Sequence, residues 1–136
     1  MNFRTTAIRW LPLLLILPIL AGCSGSNPNP ISAFEPEVVN EADAFQFQIT
    51  DADNVSATLT YEWSNTGAQA TIDHSTVTAE GMASVVLLDA DDMQVYSNGL
   101  VASANEQSSV GVAGNWAVRV SLVNFSGTVN FRVEKL

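Results

Sequence analysis

From about residue 43 onward the chain alternates apolar and polar positions with a period of two. Phe45, Phe47 and Ile49 alternate with Gln46, Gln48 and Thr50. Ala57, Leu59, Tyr61 and Trp63 alternate with Thr58, Thr60 and Glu62. Near the C-terminus, Trp116, Val118, Val120 and Leu122 alternate with Ala117, Arg119 and Ser121, and then Val129, Phe131 and Val133 with Asn130, Arg132 and Glu134. Successive side chains of a strand point to opposite faces, so each segment predicts one dry face and one wet face. The run "ASVVLLDA" at 83–90 is apolar on consecutive positions and predicts a strand covered on both sides. No segment beyond residue 22 carries a capped apolar stripe of helical period.

Clusters of Asp, Asn, Ser and Gly at 51–54, 65–67, 89–92, 98–99, 111–115 and 126–127 read as turns. They cut the chain into short segments near 43–50, 55–64, 68–74, 76–80, 82–89, 93–97, 107–112, 115–124 and 127–135, of which seven or eight count as strands. This spacing predicts an all-β domain over 41–136, an antiparallel β-sandwich of jelly-roll type with about eight strands. Strands 115–124 and 127–135 are expected to close as a hairpin at Ser126-Gly127. Their inward set is Trp116, Val118, Val120, Leu122, Val129, Phe131 and Val133, each large side chain contributing roughly 1.5–3 kcal/mol when fully buried.

The N-terminal region has a different pattern. Arg4 and Arg9 precede a 12-residue apolar run, "WLPLLLILPILA", and small residues follow it. Charged start, apolar centre and small residues form the plan of a secretory signal peptide over 1–22. The run is shorter than the ~20 apolar residues that a spanning helix needs, and Pro12 and Pro18 interrupt it as a helix. Residues 23–40 then read as a tether, since "SGSNPNPISAFEP" holds three prolines among Gly, Ser and Asn. The stretch from Ser24 to Pro36, about a dozen residues, would hold the domain some tens of Å from any anchor at its start.

Loss of residues 1–22 leaves 114 residues, enough for one domain. It also leaves three basic side chains, Arg119, Arg132 and Lys135, against fourteen acidic ones, a net charge of −11. Such a surface repels nucleic acid and anionic headgroups and excludes nucleic-acid binding as a role.

Cys23 is the only cysteine, so it forms no internal disulfide. The sequence Leu20-Ala21-Gly22-Cys23 resembles the lipobox of bacterial lipoproteins, a branched apolar residue and two small ones before a cysteine. The resemblance covers only the signal region. It implies a diacylglyceryl (palmitate-type) anchor on the Cys23 sulfur, cleavage after Gly22 and a second acylation of the new amino group. Two or more chains make a lasting anchor at ~0.8 kcal/mol per buried methylene. The competing reading is an ordinary signal peptide with a free thiol beside it. Ser24 rather than Asp after the cysteine implies, by the same resemblance, the outer membrane more than the inner one.

The stretches "VVLLDADDMQVYSNG" and "GNWAVRVSLVNFSGTVNFRV" resemble small β-sandwich modules of secreted bacterial proteins, of the pre-peptidase C-terminal type. That resemblance covers about half of the chain after Cys23. It implies a non-catalytic accessory module, some relatives of which bind calcium or matrix proteins.

Four groups of residues are candidates for chemistry. Asp89, Asp91 and Asp92, and similarly Asp51, Asp53 and Asn54, offer clustered hard oxygens suited to Ca²⁺. The alternative is turn chemistry, because Asp and Asn bond to their own backbone and tolerate left-handed conformations. His74, the only histidine, lies in "DHS", but neighbours on a strand face opposite ways and do not form a triad. It is expected as a satisfied core or exposed histidine. Trp63 and Tyr96 would suit a sugar-stacking platform, although the register of Trp63 favours the core. The expectation is a membrane-anchored, non-enzymatic binding lipoprotein of the cell envelope with no cofactor and an undefined protein or glycan partner. A calcium- or carbohydrate-binding module is the alternative, and a hydrolase the outsider.

Overall fold

A computed structural model describes residues 27–136. The signal-peptide and Cys23 expectations lie outside the described residues. Within them, a short 3-10 turn (Ile31–Phe34) precedes six strands: β1 (Glu37–Glu41), β2 (Ala44–Asn65), β3 (Ala70–Leu88), β4 (Gln94–Gly99), β5 (Ala104–Gln107) and β6 (Gly114–Lys135). All pair antiparallel in one sheet, in the order β1-β2-β6-β3-β4, with β5 also on β3. The all-β antiparallel expectation holds.

The strand count differs from the expected eight because three strands run through expected breaks. β2 and β6 are 22 residues each and β3 is 19. Residues 115–124 and 127–135 are therefore one strand, not a hairpin, and Ser126-Gly127 is no turn. The segment 107–112 is a loop after its first residue, the strand there being the earlier β5.

The reason is visible in which positions are buried. On β6 the buried set is Trp116, Val118, Val120 and Leu122, then Phe125, Val129, Phe131 and Val133. The parity switches between Leu122 and Phe125, at Asn124, whose φ is 45°. On β3 it switches between Thr76 and Ala83, around Gly81 with φ 74°. On β2, Asp51 and Asn54 have φ of 49° and 47°, and the β2–β6 register slips three times between Ile49 and Ala57. These are β-bulges, which insert a residue, bend the strand and keep the pairing going.

The bulges lie in one row across β2, β6 and β3, and the sheet folds back along it. The Phe45 and Tyr61 rings, on one strand, are 5.4 Å apart. An extended strand would separate them by about 53 Å. The Asp43 N–H even donates to Ser64 O at 2.8 Å, so the two ends of β2 meet. The result is sandwich-like, two halves of one sheet facing each other over a shared core. Trp63 meets Trp116 edge-on at 5.9 Å, and Phe47 stacks on Phe131 at 5.6 Å. The whole expected inward set from Trp116 to Val133 is buried. The run 83–88 alternates buried and half-buried positions, so its second face is only partly covered.

Two glycines are indispensable to the fold line. A Cβ on Gly81 would strike the Val123 and Asn124 carbonyls, and one on Gly127, where φ is 143°, the Val77 carbonyl. Only glycine combines these dihedrals with so close a backbone approach.

Residues expected to belong to the tether are docked. Asn29 bridges Val55, and its N–H donates to Asn54 O at 2.8 Å. Its side-chain amide donates to Asp53 O at 2.8 Å, and the Asn54 amide donates to Asn27 O at 3.1 Å. Ile31 and Phe34 pack on the core, and β1 pairs with β2. Apolar Ile31 and Phe34 anchor what the prolines keep out of regular structure.

Candidate functional site

The acidic turn at Asp89 is built from local sequence. Asp89 is 4% exposed. Its Oδ1 accepts the N–H groups of Asp91 (3.0 Å) and Met93 (2.9 Å), and Oδ2 accepts the N–H of Val112 (2.9 Å). These three backbone donors, Val112 foremost, hold its carboxyl below the usual carboxylate range. Asp91 and Asp92 point to solvent, and Asp92 takes the left-handed conformation at φ 59°. Asp89 thus closes its own turn and pins the 108–113 loop to it. Asp51, Asp53 and Asn54 serve the bend and the docked N-terminal segment instead. Among the described residues no group of three or more His, Cys, Asp or Glu side chains is placed to hold a metal ion.

His74 sits on the inward face of β3, between Ile72 and Thr76, while Asp73 and Ser75 face out. The three neighbours are split between faces as strand geometry requires. The histidine is neither exposed nor satisfied, contrary to expectation. It is 4% exposed, and neither ring nitrogen has a hydrogen-bond partner, nor does Thr76 Oγ1. Its parity with Ile72 draws it inside, and Phe131 of β6 and Ala104 of β5 flank it in register.

Beside it lies a polar closure that the sequence does not reveal. Glu106 on β5 accepts the Tyr96 hydroxyl and the Asn98 amide (2.8 Å), both from β4. The two edge strands, which flank different halves of β3, are joined by this carboxylate. Hydrogen bonds from Tyr96 and then Asn98 lower the Glu106 pKa, with a smaller contribution from His74. Burial, and then the bond to Glu106, push Tyr96 up to about 12. Trp63 is fully buried, its Nε1 donating to Glu41 O at 3.1 Å, so it forms no stacking platform with Tyr96.

The outward face of the half-sheet β1-β2-β6-β3-β5 carries a polar row beside three shallow hollows. Val39, Gln46, Arg132, Asp73 and Asn105 lie in one cross-strand row over five strands. Gln48, Asn130 and Ser75 form the next row. Three adjoining hollows of about 160, 200 and 170 Å³ all share Arg132. Its Nε donates to Gln46 Oε1 at 3.2 Å, and it forms no ion pair among the described residues, where the single salt bridge joins Lys135 to Asp43. The terminal guanidinium nitrogens are donors in a fixed fork, with Asp73 and Glu134 as flanking acceptors. One cation between two carboxylates disfavours a polyanion and suits a neutral polyhydroxylated ligand. No residue of this row formed a motif, because it exists only once the register of five strands is known.

No known family model matches this chain, and no curated protein matches it.

Proposed function

We propose that the protein is a membrane-anchored, non-enzymatic lipoprotein of the bacterial envelope whose β-domain binds a partner. The observation that carries this reading is the junction between anchor and fold. The lipobox-like "LAGC" ends at Cys23, and Asn27, four positions further on, is hydrogen-bonded to the fold through Asn54. An acylated cysteine at that place would hold the β-domain without any spanning segment. Metabolic labelling of the full-length chain with a fatty-acid analogue tests it. Label on the wild type and none on Cys23→Ala is expected; persistent label on the variant would defeat the anchor.

The Arg132 row favours a second, compatible reading, a carbohydrate-binding face. Donors and acceptors alternate along it, as sugar hydroxyls require, and the amides of Gln46 and Asn130 stand beside the guanidinium. Calorimetric titration with neutral oligosaccharides should show binding that Arg132→Ala weakens about tenfold or more, the effect of losing roughly 1.4 kcal/mol. Equal affinity for both proteins would remove this face from the account.

A further inference from the structure

We infer that the bend of the folded sheet rests on the lipid surface, with Val77, Met82 and Val123 as its contacts. The inference rests on acylation of Cys23 and adds an orientation to it. Three residues lie between Cys23 and Asn27, a distance of four chain steps, and Asn27 is held at the bend through Asn54. Four chain steps span at most about 14 Å when fully extended. The opposite end is out of reach: Lys135 lies eight residues beyond Gly127 on β6, about 27 Å along the strand. A leash this short leaves the bend as the lipid-proximal end.

The surface there has the matching chemistry. Val77 is 69% exposed and Met82 62%, and Val123 stands directly opposite Met82 in register. Neither β4 nor β5 pairs with β3 between His74 and Ser84, so this rim projects uncovered. Val101 adds to it, since the N–H of Leu100 beside it donates to Ala83 O at 2.7 Å. The charged residues at the bend are Asp51, Asp53 and Glu80, while Arg132 and Lys135 lie toward the other end. An acidic border around an apolar rim suits zwitterionic headgroups and opposes anionic ones. The far end also exposes Met93, Val110 and Val112. Apolar exposure alone therefore does not choose an end; the point where the chain joins the fold does.

The test uses the full-length lipoprotein in phosphatidylcholine vesicles that carry a headgroup-level quencher. With Cys23 consumed by lipid, Met82→Cys and Met93→Cys each add a single thiol for a fluorophore at an exposed position. The expected result is several-fold stronger quenching at 82 than at 93. Equal quenching, or stronger quenching at 93, would overturn the orientation. Intact mass of the same sample reports acylation of Cys23 separately. Acylated protein with equal quenching defeats only the orientation, and unmodified Cys23 defeats the anchor and the orientation together.

Discussion

At the bend, the chain holds its shape through backbone conformation. Asp51, Asn54, Asn124, Gly81 and Gly127 all have positive φ there, and three strands fold along the row they make. At the far end, where β2 meets β3 and the C-terminus, side-chain charge does the holding. Asp43 accepts the Thr66 N–H (2.7 Å), the Thr66 hydroxyl (2.8 Å) and the Lys135 ammonium (2.8 Å). Asp89 fixes the neighbouring turn through three N–H groups. One end should therefore be sensitive to an added methyl group, the other to protonation. Positive φ recurs at the far end, at Asp43 (66°) and Asp92 (59°), but there the carboxylates of Asp43 and Asp89 add the closing bonds.

The largest effect should come from the bend. Gly127→Ala and Gly81→Ala each place a Cβ against backbone carbonyls at positive φ, and each should cost well over about 1 kcal/mol in chemical denaturation. Gly99→Ala is the control, since its Cβ would meet nothing closer than 3.9 Å. Equal losses at all three positions would show that the bend is not a special site.

Acid should act on the far end. The hydrogen bond from Lys135, and next the Thr66 N–H, hold Asp43 at about 2. A depressed carboxyl contributes stability above its unfolded value, 3.8, and that contribution is lost as pH falls through about 2. Melting temperature should fall over that window, and Asp43→Asn should flatten the fall while lowering stability at neutral pH. A variant with an unchanged acid limb would remove Asp43 from the closure.

A smaller effect lies at the other extreme of pH. Tyr96 is raised to about 12, so its contribution is complete below the unfolded value, 10.0, and is lost as pH rises through about 12. Tyr96→Phe should lessen the alkaline loss of stability. If it leaves that limb as it was, the Glu106 bond does not close β4 on β5.

The smallest effect returns to the bend. Asn29→Ala removes one exposed side-chain bond to Asp53 O and should cost about 0.5–1.5 kcal/mol. No loss at all would mean that the backbone bond of Asn29 to Asn54 O and the packing of Ile31 and Phe34 hold the segment without the side-chain amide.

Much of this architecture was legible residue by residue. Period two identified the inward faces of β2 and β6, and the buried positions from Trp116 to Val133 match it. The acidic cluster at 89–92 was legible as turn chemistry, because Asx side chains bond locally. The bends were not. A parity switch at Asn124 or Gly81 looks like a turn, since a turn and a bulge demand the same left-handed residues. Which of the two forms depends on whether β2 and β3 remain paired beside β6, and that is a long-range fact. The Tyr96–Glu106 bond and the Arg132 row were hidden for the same reason. The docking of Asn27 to Phe34 was masked by composition, where Pro and Asn suggested a free spacer.

The short leash is the pivot of the account, and a single backbone amide tests it. The Asn29 N–H donates to Asn54 O at 2.8 Å, which joins the N-terminal segment to the bend. Hydrogen exchange followed by NMR on the chain from Ser24 onward should find this amide clearly protected relative to an unstructured peptide. Exchange at the free-peptide rate would contradict the account: the tether would then be about a dozen residues long, and the bend would have no fixed relation to the lipid.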